Sequence, residues 1–527
     1  MRSHRLGLSR LCLLALAFVV ALSGASYAQN ITGTIAGVVQ DESRAVVPNA
    51  NVTLTNEASL DVRRTVSNND GLFTFSAVPL GTYDVLIEVQ GFRPWKRTKV
   101  ALGGGERINI ADIRLAPGAL TEQVTVTEQI PLAPVDSGEK SSTITADQIQ
   151  SISVLGRSAA DLVKILPGMV PSIGQWTNVS ADNEARNVAS FNGGVVGING
   201  NGEGGGQSAV GTYSANGTRP EAMEIVIDGA HAADPGCNCA TSVNPNPEMI
   251  AEMKVLQSNF GAENSKGPVA LSIVSRAGGR EFHGSLYTYH RNYRLNANEW
   301  ALNRANNKRP ESIFTYPGGT LGGPMPGLKD KAFFFLGVEL FRQKIDTGVI
   351  TSYVPTQAMK NGDFSNAADY SGLGTGAGAT GAYVSNRPNN LDASGHLPAN
   401  LIDKNGQILM NLLPSPNADP AQNNGYNFVE AVNSNQNGHQ EFGRIDVAMS
   451  DNTKAFVRYA RQRETQPWVG GLWWRDGNQV PSPSRIVGKN RSDSVSATLT
   501  HVFSPKMTSE TIVAYTYINF PNDYEDP

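Results

Sequence analysis

The segment Phe442-Gly443-Arg444-Ile445-Asp446-Val447-Ala448-Met449-Ser450 decides how the second half of this 527-residue chain is read. Ile445, Val447 and Met449 fall on one face of an extended chain, and Arg444, Asp446 and Ser450 fall on the other. Asp451-Asn452-Thr453 supplies a tight turn, and the return run sets Ala455, Val457 and Tyr459 against Arg458 and Gln462. Phe334, Leu336, Val338 and Leu340 likewise oppose Gly337, Glu339 and Gln343, while Val495, Ala497 and Leu499 alternate with Ser494, Ser496, Thr498 and Thr500. A strand of about ten residues with one apolar and one polar face suits a tilted crossing of a bilayer. Strands in lipid must pair fully, so they belong to a closed barrel. A soluble all-β domain shows the same alternation, and the pattern by itself leaves both readings open. Connections are short at 324–330, 451–454 and 504–509 and long at 344–439 and 464–492, the asymmetry of an outer-membrane barrel whose long loops face outward.

Composition narrows the class. The length exceeds one core, so two or more domains are expected. A net charge of −4 lacks the basic field of a nucleic-acid binder. Three cysteines exclude a disulfide-built scaffold and a four-cysteine zinc site. Glycine (54) and proline (29) are abundant, as turn-rich β architecture requires. A mean hydropathy of −0.26 excludes a helical bundle in lipid but not a β-barrel.

Residues 1–28 read as a signal peptide. Arg2, Arg5 and Arg10 precede an apolar run from Leu11 to Leu22, and Ser26-Tyr27-Ala28 is a small-x-small cleavage site. Residues 29–116 then read as a β-sandwich of short strands. Ile35 to Val39, Val52 to Thr55, Leu72 to Phe75 and Tyr83 to Val89 are separated by turn residues such as Asn69-Asp70-Gly71 and Pro79-Leu80-Gly81. Arg93, Lys96, Arg97 and Lys99 around Trp95 could form a binding patch, but read first as charges guarding an edge strand. The motifs Val47-Pro48-Asn49-Ala50-Asn51-Val52, Asn69-Asp70-Gly71-Leu72-Phe73 and Val78-Pro79-Leu80-Gly81-Thr82-Tyr83 resemble the carboxypeptidase regulatory-like domain. That resemblance implies a transthyretin-like or Ig-like sandwich without catalytic machinery.

Residues 117–142 read as a linker containing the β-prone run Glu122-Gln123-Val124-Thr125-Val126-Thr127. In isolation this is an ordinary strand. In its position it resembles a TonB box, which is offered to the energy-transducing protein TonB by strand addition. Residues 143–279 read as an α/β domain. Thr145-Ala146-Asp147-Gln148 fits a capping box. Ala159, Leu162, Val163 and Leu166 form one helical face that ends at Pro167-Gly168. Glu224 to Asp228-Gly229 reads as a buried strand with a turn, and Asp228 as a turn former rather than a catalytic acid. Leu166-Pro167-Gly168-Met169-Val170, Ala215-Asn216-Gly217-Thr218-Arg219-Pro220, Ile227-Asp228-Gly229 and Glu252-Met253-Lys254-Val255 resemble the plug of TonB-dependent receptors. The similarity is greatest to the Oar-like branch, which carries a carboxypeptidase regulatory-like domain in front.

Residues 280–527 read as barrel. Ser275 to Asn292 resembles a plug-to-barrel junction, and Lys329 to Phe335 with Asn361-Gly362-Asp363-Phe364-Ser365 resembles the Oar-like barrel. About seven strands are counted, against about 22 in closed transporters of this type. The expectation is therefore a truncated chain and an open, curved sheet with an unpaired edge.

Cys237 and Cys239, close to His231 and Asp234, invite a metal reading. Cys-x-Cys is too tight for a zinc knuckle, so a small-ring disulfide or two thiols is expected, and no metal. Trp468, Trp473 and Trp474 could stack on a planar ligand, but read first as interfacial anchors or loop packing. No hydrolase, zincin or phosphate-loop motif occurs, and no cofactor is implied. The expectation is a mainly β protein: sandwich, α/β plug, then the first part of an antiparallel transmembrane barrel. The resemblance implies a TonB-dependent receptor in the cell outer membrane, sandwich and plug on the periplasmic side. Its partners would be a TonB-type protein, outer-membrane lipid and an unidentified extracellular ligand (saccharide, peptide or metal chelate), and it would not be an enzyme. The alternative is a surface adhesion protein without transport.

Overall fold

The structure is a computed structural model that describes residues 32–118, 124–126, 138–152, 157, 159–171, 201–202, 206–207, 213–215, 223–233, 243–244, 246–260, 269–298, 300–304, 308–309, 311–328, 331–352, 354–366, 390–422, 427–468, 486–504, 507–519 and 521–524. The signal-peptide residues lie outside this set. Three bodies follow one another: a sandwich, an α/β domain and a long antiparallel sheet.

The sandwich strands are β1 (Gly33–Val38), β2 (Asn51–Asn56), β3 (Val62–Val66), β4 (Leu72–Val78), β5 (Gly81–Glu88), β6 (Trp95–Leu102) and β7 (Arg107–Ile110). One sheet runs β4-β1-β7, and the other runs β6-β5-β2-β3 with a further strand, β8 (Val124–Val126), added beside β6. Alternation places Ile35, Val52, Leu54, Phe73, Phe75, Val85 and Ile87 between the sheets, all buried. Tyr83 joins this core and donates its hydroxyl to the Pro79 carbonyl at 2.6 Å. Burial pushes its phenol up to about 12. The expected edge at Trp95 is corrected. β8 pairs in parallel with β6 through Val124↔Trp95, Thr125↔Lys96 and Val126↔Arg97. Arg97 is buried rather than guarding solvent, and Lys96 meets Asp84 at 2.9 Å.

The middle domain builds a five-stranded sheet around β11, with order β9 (Lys140–Thr145), β11 (Ile250–Ser258), β12 (Val269–Ser275), β10 (Met223–Ile227) and a short return strand Ala230–His231. Helix α1 (Ala146–Ser151) starts at the capping box read from Thr145 and Gln148. The second expected helix is a 3-10 helix, Ala159–Ile165. Pro167-Gly168 lies just beyond it, and the tighter turn still buries Ala159, Leu162 and Val163. The domain has its own apolar core, including Ile144, Ile225, Met253, Val255, Leu271 and Ile273.

The third body is a meander of β13 (His283–Asn292), β14 (Ile313–Pro324), β15 (Ala332–Ser352), β16 (Phe428–Ser450), β17 (Thr453–Trp468), β18 (Ile486–Ser504) and β19 (Met507–Asn519). Each pairs antiparallel with the next, and Asn522–Tyr524 adds to β18 beyond the end of β19. Among the described residues β13 and β19 have no outer neighbour, so the sheet is open and unclosed, as the strand count led us to expect. Its faces are inverted relative to a soluble sheet. Leu336, Val338 and Leu340 are 48%, 45% and 39% exposed, whereas Glu339 and Gln343 on the other face are 0% and 1%. Along β17 and β18, Val457, Val495 and Leu499 are exposed, while Arg458, Gln462, Ser494, Ser496 and Thr498 are buried. A soluble domain would bury the apolar face. The inversion separates the two readings the pattern left open, in favour of a membrane strand with a polar bore.

The sandwich sits at the short-turn end of this sheet. Thr32 donates its hydroxyl to Glu510 at 2.8 Å, the Arg280 N–H donates to the Ala58 carbonyl, and Lys454 pairs with Asp61. The Gly104 N–H donates to Glu252 of the middle domain at 2.9 Å. Burial pushes that carboxyl up from its ordinary range, and the Gly104 bond opposes the shift.

The inverted face gives a direct test. Val457→Lys is expected to destabilise the folded barrel sheet by about 2–4 kcal/mol in bilayers, read from the urea midpoint of the protein refolded into lipid vesicles. A midpoint within error of the parent would contradict the assignment of that face to lipid.

Candidate functional site

The site is the contact between the middle domain and the bore face of the sheet. It begins with a feature of the sheet itself. The turn at Asp451-Asn452, followed by a register shift between Ala448 and Ser450, pairs β16 with β17 so that Arg444 lies directly opposite Arg458. Like charges facing across a pair are destabilising, and both side chains point into the bore and are buried. The middle domain supplies the missing anion. β10 ends in a two-residue turn, Asp228-Gly229, whose backbone is left-handed at both positions (φ 49° and 75°). Asp-Gly is a preferred sequence for that turn. It projects the Asp228 carboxylate between the two guanidinium groups. Arg444 Nη1 lies 3.4 Å from Oδ1, and Arg458 Nε lies 3.1 Å from Oδ2. Ser275, at the end of β12, donates its N–H to Oδ1 at 2.9 Å and its hydroxyl to Oδ2 at 2.7 Å. Arg444 is completed by Asp446 at 2.7 Å, and Arg458 donates to Ser494 at 3.1 Å. Two arginines and two aspartates thus form one neutral buried group that crosses the domain boundary.

A second group lies nearer the start of the sheet. Arg157, buried and with φ 52°, donates through Nε and Nη2 to Glu339 of β15 at 3.2 and 3.0 Å. It also approaches Glu248 at 3.5 Å. Its guanidinium stacks over the Tyr289 ring at 3.9 Å from the centroid, and the Tyr289 hydroxyl donates to Glu248 at 3.0 Å. In the row of Glu339 and the next bore row away from Arg444 runs an amide ladder. Gln462 accepts from the Asn244 N–H at 3.0 Å and from Gln440 at 2.7 Å, and Asn246 donates to Gln440 at 3.2 Å. Gln462 and Asn490 both donate to Glu464, at 2.9 and 2.8 Å.

Among the described residues the buried apolar contact across this boundary is small, formed by Val243 and Met249 against Phe335, Phe442 and Ala460. A Cβ at Gly337 would come within 3.1 Å of Met249, so the bore narrows its own wall to admit that side chain.

The residues singled out from sequence are distributed differently. Val124, Thr125 and Val126 form β8 on the sandwich, while Glu122, Gln123 and Thr127 lie outside the described residues. Trp468 ends β17, with Trp473 and Trp474 outside the described set. Cys237 and Cys239 are also outside it. Among the described residues no group of three or more His, Cys, Asp or Glu side chains could hold a metal ion. Asp228 is the turn former expected of it, and also the charge at the centre of the interface. Arg444, Arg458 and Glu339 were legible as bore-facing but not as partners. Counting back from the Asp451-Asn452 turn alone would set Arg444 opposite Tyr459; the register shift between Ala448 and Ser450 brings Arg458 opposite it instead, and no sequence signal marks that shift.

Comparison with known proteins fits this geometry. Residues 274–527 match the outer membrane beta barrel domain family, and residues 34–116 match the carboxypeptidase regulatory-like domain family. The barrel-domain match places the chain in the outer membrane. The chain is 26% identical over 331 residues to the TonB-dependent transporter Oar of Myxococcus xanthus, covering 59% of this chain and 27% of that protein. Similar solved structures include the outer membrane transporter YddB from Escherichia coli (8% identity, TM-score 0.43, 73% of this chain and 40% of that one). Another is BauA, the ferric preacinetobactin receptor from Acinetobacter baumannii (12% identity, TM-score 0.34, 74% and 48%). The chain therefore spans about a quarter of the length of the curated relative it matches.

Removing the shared anion leaves two buried arginines facing each other. Asp228→Ala is expected to destabilise the protein by about 3–5 kcal/mol, the range for breaking a buried pair from one side. Asp446→Asn, whose carboxylate is partly exposed, is expected to do much less. Urea unfolding followed by protease resistance of the middle domain distinguishes them, and equal effects would contradict the central role of Asp228.

Proposed function

We propose that this chain functions as a TonB-dependent outer-membrane transporter, with the middle domain as a plug in the bore and an unidentified ligand taken from the long-loop side. The observation that carries the reading is the inverted sheet whose polar face is neutralised by a separately folded domain. Such a domain blocks passage while seated, and its contacts are polar groups that water can replace one by one. Transport of this kind makes and breaks no covalent bond in the ligand, so the chain is read as a carrier and not an enzyme. The sandwich and plug lie on the periplasmic side in this reading, because the sandwich occupies the short-turn end.

The segment Glu122 to Thr127 is the proposed TonB box. Its central residues already lie extended and strand-paired, which is the backbone conformation that strand addition uses. Engagement by TonB would exchange β6 for the partner's sheet edge, and the pull would pass directly to β9 and the plug.

The test is a deletion of residues 122–127 in the intact gene product. Retention of a purified TonB C-terminal domain is expected to fall at least tenfold, with the heat shift of the folded barrel on a gel unchanged. Undiminished retention would remove the box assignment. Retention with surface binding of cells or matrix, but no solute flux into proteoliposomes when the plug is unseated, would favour the adhesion reading instead.

A further inference from the structure

The outer face of the barrel sheet can be read as rows, because paired residues of neighbouring strands share a face. Gln440, Gln462 and Ser492 point into the bore and are buried, so the alternating His439, Arg463 and Arg491 point away from it. Starting from the middle of the sheet, the row Ile445, Val457, Ala497 and Val513 is apolar. The next, Gly443, Tyr459, Val495 and Tyr515, ends in tyrosines, as the interfacial level of a membrane protein does. The row beyond is Glu441, Arg461 and Asp493, in which opposite charges alternate. Arg461 lies 3.7 Å from Glu441 and 4.0 Å from Asp493.

The rows after that are not balanced. His439, Arg463 and Arg491 stand side by side, followed by Arg342, Asn437, Thr465 and Lys489. Across these three charged rows, Arg342, Arg461, Arg463, Lys489 and Arg491 face, among the described residues, only Glu441, Asp493 and Asp523. Asp493 is shared by Arg461 and Arg463, the latter at 2.6 Å, and Lys489 reaches Asp523 at 3.3 Å. Arg491 makes no ion pair among the described residues, although it lies directly opposite Arg463. A groove of about 550 Å³ opens here, lined by His439, Arg463, Lys489 and Arg491 together with Asp523 and Glu464, the latter with its carboxylate held by Gln462 and Asn490.

We propose that this groove is a binding site for the phosphate-bearing headgroup of an outer-leaflet membrane lipid. Two arginines held opposite each other on a sheet, one of them without a partner, call for an anion with several acceptor oxygens. The site lies on the wall that faces lipid, just past the tyrosine row on the long-loop side, where headgroups meet the barrel. That continuity with the apolar rows selects a lipid over a soluble ion, whose acyl chains would lie along Val495, Val457 and Ile445.

The experiment uses the folded protein in detergent, titrated with lipid A carrying its phosphates, with lipid A stripped of them, and with inorganic phosphate alone. Retention is read by native mass spectrometry. Removal of the lipid phosphates is expected to lower retention at least tenfold, and so is the Lys489→Gln, Arg491→Gln double variant. Both of these side chains are exposed, so the fold should tolerate their loss, and an unchanged heat shift on a gel verifies it. Arg461→Gln, in the balanced row, is expected to stay within about twofold of the parent. Equal retention by the double variant, or equal retention of the stripped lipid, overturns the proposal. Full displacement of the lipid by millimolar inorganic phosphate also overturns it, because the groove would then belong to a soluble anion.

Discussion

Arg444 and Arg458 face each other across a hairpin in a place without bulk water, and the rest of the architecture answers that fact. A sheet cannot by itself keep two buried guanidinium groups in register. Asp228, delivered on an Asp-Gly turn by a different domain and steadied by Ser275, makes the arrangement tenable. The sheet and the plug are therefore not independently complete. Each has buried charge that the other helps to neutralise, as Arg157 from the plug and Glu339 from the sheet repeat in the opposite sense.

This reciprocity explains the inverted burial. In a soluble sheet the apolar face seeks the core and the polar face seeks water. Here solvent on the outside is hydrocarbon, so Leu336, Val457 and Leu499 can stay exposed, and the polar face has to find partners inside. The plug supplies them through backbone and side-chain amides as well as charges. Asn244 and Asn246 satisfy Gln440 and Gln462, which would otherwise need a column of water.

The sequence made the alternation legible, and with it the seven strands, the sandwich core and the capping box at Thr145. Those features depend on period, turn residues and local hydrogen bonds, all short-range. Which face was buried was not legible, because a period of two is the same whether the core is oil or polar plug. The pairing of Asp228 with Arg444 spans more than two hundred residues and follows from no local rule. The 3-10 form of Ala159–Ile165 escaped for a different reason. Its apolar spacing satisfies either helix, so the pattern does not choose between them. The docking of Val124–Val126 on β6 was hidden because strand addition uses backbone groups, which every sequence carries.

The balance of forces at the plug boundary bears on how such an interface can open. The plug's apolar core is internal to it, built from Ile225, Val255, Leu271 and their neighbours, and among the described residues only a small apolar cluster reaches the wall. An apolar interface of the same extent would expose oil on release and would carry a cost proportional to its area. A polar one exchanges protein partners for water at a small net change per hydrogen bond, provided water can enter. Dry, it is held firmly, because each unpaired charge is expensive. Wet, it loosens. Entry of water along the amide ladder of Gln440, Gln462 and Asn490 is thus the natural first step in freeing the plug. The Arg444–Asp228–Arg458 group, in which one buried carboxylate serves two buried arginines, would be the last to let go.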